Sequence, residues 1–131
     1  RAWGCKWTDL PSVPNVTSFP PAGPGAEIGD GMTNTNGILN VTDCPAAPAA
    51  LAARSYGPDW FLLSAKELNE MYVNKVTLEA VPGFNPFVNF FYWSSTEKFP
   101  TVFAWGQNFT DGNQGYYNKY SPNYVRAVRA F

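Results

Sequence analysis

The sequence predicts an α+β fold in which two helices and long irregular loops support a twisted antiparallel sheet. Three observations carry this expectation. Ser64-Ala65-Lys66-Glu67 has the spacing of a capping box, and Leu68, Met71 and Tyr72 follow at helical intervals, which predicts a helix from Ala65 to about Asn74. Phe103, Trp105, Gln107 and Phe109 alternate with Ala104, Gly106 and Asn108, the period of a strand. Asp111-Gly112 then supplies a hairpin turn, with a return strand expected from Tyr116 to Tyr120.

The remaining elements follow in chain order. Pro11, Pro14, Pro20, Pro21 and Pro24, with Gly23, Gly25, Gly29, Gly31 and Gly37, argue against long helices or central strands in the N-terminal segment. Trp3, Trp7, Phe19 and Ile28 are expected to anchor that segment to the core. The run AAPAALAARSYG predicts a first helix, with Asp43 or Cys44 near its N-cap, Pro45 or its neighbour in the first turn and Gly57 ending it. Asp59 to Leu63 reads as a short buried strand or extended segment, and Pro82, Gly83 and Pro86 break the chain again. From Phe90 onward the pattern is β: a meander of three or four strands, a turn at Ser121-Pro122-Asn123 and a closing strand from Tyr124 to Ala130. Trp60, Trp93 and Trp105 are expected in the core, and Arg126 and Arg129 are expected to ion-pair with Glu67 or Glu97.

Composition narrows the function. A chain of 131 residues, 45% hydrophobic and 17% aromatic, can bury one sizeable core, so one domain spanning residues 1–131 is expected. A net charge of -1 gives no footprint for nucleic acid or an acidic membrane surface. No apolar run suits direct membrane insertion, and a start at Arg1 suggests an excised domain or processed chain. The chain has no histidine, which removes the usual general base and every Ser-His or Cys-His nucleophile. No cofactor or metal is expected. Asp30 with Asn34 and Asn36 offers oxygen ligands for calcium without the spacing of a calcium loop, and a polar turn is the plainer reading. Scattered carboxylates, Glu97 and Asp111 foremost, leave open a glycosidase-like pair. Cys5 and Cys44 are either a disulfide, worth about 3–5 kcal/mol for a loop of that length, or two free thiols. The first suits an extracellular protein. Asn15, Asn40 and Asn108 each open a glycosylation triplet that carries little weight.

The segment from Asn113 to Tyr124 differs from its surroundings. Tyrosine gives rigid contact area at low entropic cost, and Asn, Ser and Gly give adaptable hydrogen bonding, the composition of recognition loops. Tyr116, Tyr117, Tyr120 and Tyr124 are expected to form a contact surface, the alternative being cross-strand aromatic pairs on a half-buried sheet.

Ile28-Gly29-Asp30-Gly31, Asp59 to Leu68, Tyr92-Trp93-Ser94-Ser95-Thr96-Glu97, Ala104-Trp105 and Val125-Arg126-Ala127-Val128-Arg129, in this order, resemble the C-terminal domain family of collagen-like bacterial adhesins, the Lcl_C type. They are also similar to the variable proteins of diversity-generating retroelements. Leu63 departs from the family, which often has Pro there. The resemblance implies a C-type-lectin-like fold and a ligand-binding surface altered by adenine-directed mutagenesis of Asn codons. Such mutagenesis cannot yield Lys, Glu, Gln, Met or Trp, so Glu97, Trp105, Gln107, Gln114 and Lys119 are expected to be fixed scaffold. Phe99, Val102, Phe103, Gly106, Asp111, Asn113, Tyr116, Tyr117, Tyr120, Ser121, Asn123 and Tyr124 are the candidate variable, ligand-binding positions. The implied ligand is a protein or glycan on a cell or phage surface, and the implied setting is a larger extracellular protein of a bacterial surface or virion. A structural module of a surface fibre is the alternative. The Glu-Pro-Asn, Gln-Pro-Asp and Trp-Asn-Asp signatures of calcium-dependent lectins are missing, as are C-terminal cysteines like those of sulfatase-modifying enzymes of that fold.

Overall fold

β2 (Phe91–Lys98) is the longest strand, and its six central residues are buried although four of them, Ser94 to Glu97, are polar. In the computed structural model, which describes residues 1–40, 46–98 and 101–130, β2 leads an antiparallel meander with β3 (Phe103–Asn108) and β4 (Gln114–Asn118). Trp93 stands opposite Gly106 and Gly106 opposite Gly115, and the register slips between Trp93 and Glu97. A second antiparallel pair joins β1 (Trp60–Leu62) to β5 (Ala127–Arg129), with Phe61 opposite Val128. With helices α1 (Asp30–Leu39), α2 (Pro48–Arg54), α3 (Ala65–Val73) and α4 (Lys75–Glu79), the architecture is α+β.

The edge of β2 away from β3 is covered by three separate segments. Trp93 N donates to Tyr124 O and Tyr124 N to Phe91 O; Ser95 N donates to Leu63 O; Val16 N donates to Glu97 O. The slip in register falls where these partners change. Because each partner is distant in sequence, this edge is closed by the tertiary fold alone.

α1 corrects the expectation that the N-terminal segment holds no long helix. Its run DGMTNTNGIL has poor helix propensity, but tertiary packing overrides it. A Cβ on Gly31 would lie 2.9 Å from Leu62 O, and one on Gly37 would lie 2.9 Å from Val13 Cγ2, so the glycines permit close approach. Asn34 and Thr35 are buried, and their side chains bond Gly25 O, Ser95 Oγ and the Leu62 amide. Asp30 Oδ2 accepts from the amides of Gly25 and Glu27, so the polar turn expected there is a helix start.

Further expectations shift. The N-terminal segment is anchored by Trp3, Leu10, Val13 and Val16, whereas Trp7, Phe19 and Ile28 are exposed. The return strand begins at Gln114, directly after the turn, because Gln107 pairs with Gln114, and it ends at Asn118. The closing strand shortens to Ala127–Arg129 and pairs with β1 rather than extending the meander. The first helix starts at Pro48; Asp43, Cys44 and Pro45 lie outside the described residues. Cys5 is disulfide-bonded. Trp93 and Trp105 are fully buried as expected, while Trp60 is half-buried and packs on Tyr56. Arg126 stacks on Phe87 and Arg129 on Trp60 in place of the expected ion pairs, since Glu97 is taken by Lys119 and Glu67 by backbone amides.

The capping box is present at α3. Glu67 does more than cap, because Oε1 accepts from the amides of Ser64 (2.8 Å) and Gly31 (3.1 Å) and Oε2 from that of Gly29 (3.0 Å). One carboxylate thus holds the starts of α1 and α3 together. Glu67→Ala should lower the unfolding free energy by about 2–3 kcal/mol, and Glu67→Gln by about half as much, in chemical denaturation. A loss below about 0.5 kcal/mol would mean that solvent replaces these bonds.

Candidate functional site

The β3–β4 hairpin builds the exposed tyrosine face. Gly112, at φ 84°, makes the turn, Gly112 N donates to Asn108 O, and Asp111 Oδ1 accepts from Asn113 N. Gln107 fixes the turn from below, its Nε2 donating to Gly112 O and to Asn69 Oδ1 of α3. Asp111, Asn113, Tyr116, Tyr120 and Tyr124 are exposed, and Val102, Phe103 and Ser121 are partly so. Tyr116 packs edge-on against Phe103 and Trp105, with Lys98 Nζ 4.3 Å from its ring centroid.

Position alternates sharply at the end of β4. Tyr120 is 61% exposed, whereas its neighbour Lys119 is 0% exposed. The Lys119 backbone bonds Val102 O, Trp3 N and Gly4 N. Its Nζ donates to Glu97 Oε2 (2.7 Å), Thr8 O (3.3 Å) and Cys5 O (3.5 Å) and stands 4.7 Å from the Trp3 ring centroid. The other Glu97 oxygen accepts from Leu10 N. A tyrosine at the turn is therefore held from behind by a saturated buried ion pair.

Not every candidate position lies on this face. Gly106 is buried, and a Cβ there would lie 2.6 Å from Tyr92 O, so it presents no side chain to a ligand. Tyr117 is half-buried against Phe91 and Trp93, the cross-strand packing that was the alternative for this residue. Asn123 is buried beside Arg1, its backbone N–H donating to Arg1 O. Phe99 lies outside the described residues.

Sequence reasoning missed Lys6 and Trp7. Lys6 Nζ lies 5.1 Å from the Trp7 ring centroid and 5.0 Å from that of Tyr120, which joins the N-terminal loop to the tyrosine face. Trp7 is 72% exposed and adopts φ 72°, a conformation rare for a bulky residue. No local signal distinguishes this indole from a core residue.

The geometry speaks against the carboxylate pair as reacting groups. Both Glu97 oxygens are engaged and buried, and Asp111 is spent on Asn113. Asn36 Oδ1 accepts from Arg54, so the oxygens near Asp30 serve the fold. No helix among the described residues is long and apolar enough to cross a membrane. A cavity of about 660 Å³ opens beside the face, lined in part by Tyr56, Phe90, Asn123 and Tyr124. No family model, curated protein or solved structure matches this chain.

Burial pushes the Glu97 carboxyl up to about 7, against the opposing pull of Lys119 and the Leu10 amide, and the same burial pushes Lys119 down. A carboxyl raised in the folded state stabilises the fold in its protonated form. That contribution is complete below about 4.5 and is lost as pH rises through about 7. Lys119→Met removes the cation that offsets the ionised form. The variant should lose about 3–5 kcal/mol at about pH 8 and distinctly less at about pH 5, where a proton neutralises Glu97. Urea unfolding at both pH values checks this, and equal losses would rule out a titrating Glu97.

Proposed function

We propose that this chain is a ligand-binding domain of C-type-lectin-like architecture. In this reading its C-terminal tyrosine face is diversified by a retroelement and binds a protein or glycan on a cell or phage surface. One observation carries the reading: the division of residues by codon chemistry follows their division by burial at most positions, with Gly106, Tyr117 and Asn123 packed inward and Gln114 only partly buried as exceptions. Glu97, Trp105, Gln107 and Lys119, which adenine-directed mutagenesis cannot produce, are all 0% exposed and bonded into the frame. Tyr116, Tyr120, Tyr124, Asp111 and Asn113, which it can produce, face solvent.

The arrangement suits changeable recognition. Aromatic side chains on a hydrogen-bonded hairpin lose little entropy on binding, and their replacement leaves the core untouched. Gly106 and Tyr117 serve packing and Asn123 is buried, which narrows the contact set of the hairpin face to the exposed positions.

Sequencing the encoding locus tests the proposal. A second, near-identical copy of the hairpin coding region, with adenines under the exposed positions and beside a reverse-transcriptase gene, is the expected result; a locus without such a copy would overturn diversification. Folding gives an independent check. Alanine at Tyr120 or Asn113 should change stability by less than about 0.5 kcal/mol, whereas Trp105→Ala should cost about 3–5 kcal/mol.

A further inference from the structure

The cavity beside the face has a chemistry of its own. It is walled by Tyr56 after α2, by Phe90 before β2 and by Asn123 and Tyr124 after the β4 turn, with Arg1 at one side. Its volume, about 660 Å³, is that of a small-molecule site. Phe90 and Tyr124 meet edge-to-face at 5.9 Å, and both rings, with Tyr56, remain substantially exposed around the concavity. Arg1 is the one residue with a charged side chain among the described residues lining the cavity, and no acid is among them.

Asn123 supplies the second observation. Its residue is only 6% exposed, and its side-chain nitrogen Nδ2 has no hydrogen-bond partner among the described residues. Buried amides are nearly always paired, so an orphaned donor in the wall of a cavity marks a place for an acceptor. The Asn123 backbone is fixed by its bond to Arg1 O, whereas its terminal amide torsion is soft enough for the side chain to turn.

We propose that this cavity binds a small aromatic carboxylate. The ring packs among Tyr56, Phe90 and Tyr124, and the carboxylate accepts from the Asn123 amide and pairs with the Arg1 guanidinium. The site shares Tyr124 and Asn123 with the candidate variable positions, so diversification there would alter it, but Tyr116, Tyr120, Lys6 and Trp7 take no part in its walls.

Amide NMR of the isotope-labelled full chain, titrated with indoleacetate, tests the proposal, with indole as the ring without a carboxylate. The expected result is a saturable one-site shift of the Asn123 side-chain amide and of the Tyr56 and Tyr124 backbone amides. Indole should bind at least tenfold more weakly. Tyr124→Ala should weaken indoleacetate at least tenfold, as should Asn123→Leu; if the latter does not fold, Phe90→Ala takes its place. Tyr116→Ala and Tyr120→Ala should leave the titration unchanged, which separates this site from the tyrosine face. The proposal is overturned by no saturable shift up to about 10 mM, by equal binding of indole, or by shifts confined to Tyr116 and Tyr120.

Discussion

Four consecutive polar residues, Ser94 to Glu97, are buried in the central strand, and the rest of the structure is arranged to satisfy them. Ser94 Oγ donates to Trp105 O, Ser95 Oγ accepts from Asn34, and Thr96 Oγ1 donates to Gly25 O while accepting from the amide of Ala65. Glu97 receives Lys119 and Leu10. A buried polar group without a partner costs about 1–3 kcal/mol, so the strand can occupy the core only if α1, α3, the N-terminal segment and the end of β4 all arrive together. The same demand specifies one fold rather than a family of similarly packed ones.

The three fully buried tryptophans extend this logic. Each indole N–H donates to a backbone carbonyl of a distant segment: Trp3 to Ser94, Trp93 to Arg1 and Trp105 to Val16. Their rings supply apolar burial, and their polar edges fix the irregular N-terminal segment to the sheet. Loops rich in Pro and Gly thereby become an ordered layer. The tyrosine face stands on this frame, with Lys119 inside and Tyr120 outside at adjacent positions.

Legibility followed the range of the interactions. α3 was readable because Ser64 and Glu67 cap it three residues apart, and the hairpin was readable because Gly112 can adopt the required positive φ. α1 was not, because its glycines and buried amides make sense only against Val13, Leu62 and Ser95. On the candidate site, the exposure of Tyr116, Tyr120 and Tyr124 was legible from their polar surroundings. The interior placement of Gly106, Tyr117 and Asn123 was not, nor was the approach of Lys6 and Trp7, because no local pattern encodes which face meets a distant segment.

By itself, the sequence determined the α+β class, the capped helix, the hairpin turn and the lack of histidine chemistry, since each depends on residue type or on spacing of a few positions. Tertiary structure alone decided that β5 pairs with β1, that Glu97 meets Lys119 and that Arg126 and Arg129 stack on rings. The physical reason is common to all three. Each joins groups far apart in the chain whose burial becomes favourable only after the remaining partners of the central strand are in place.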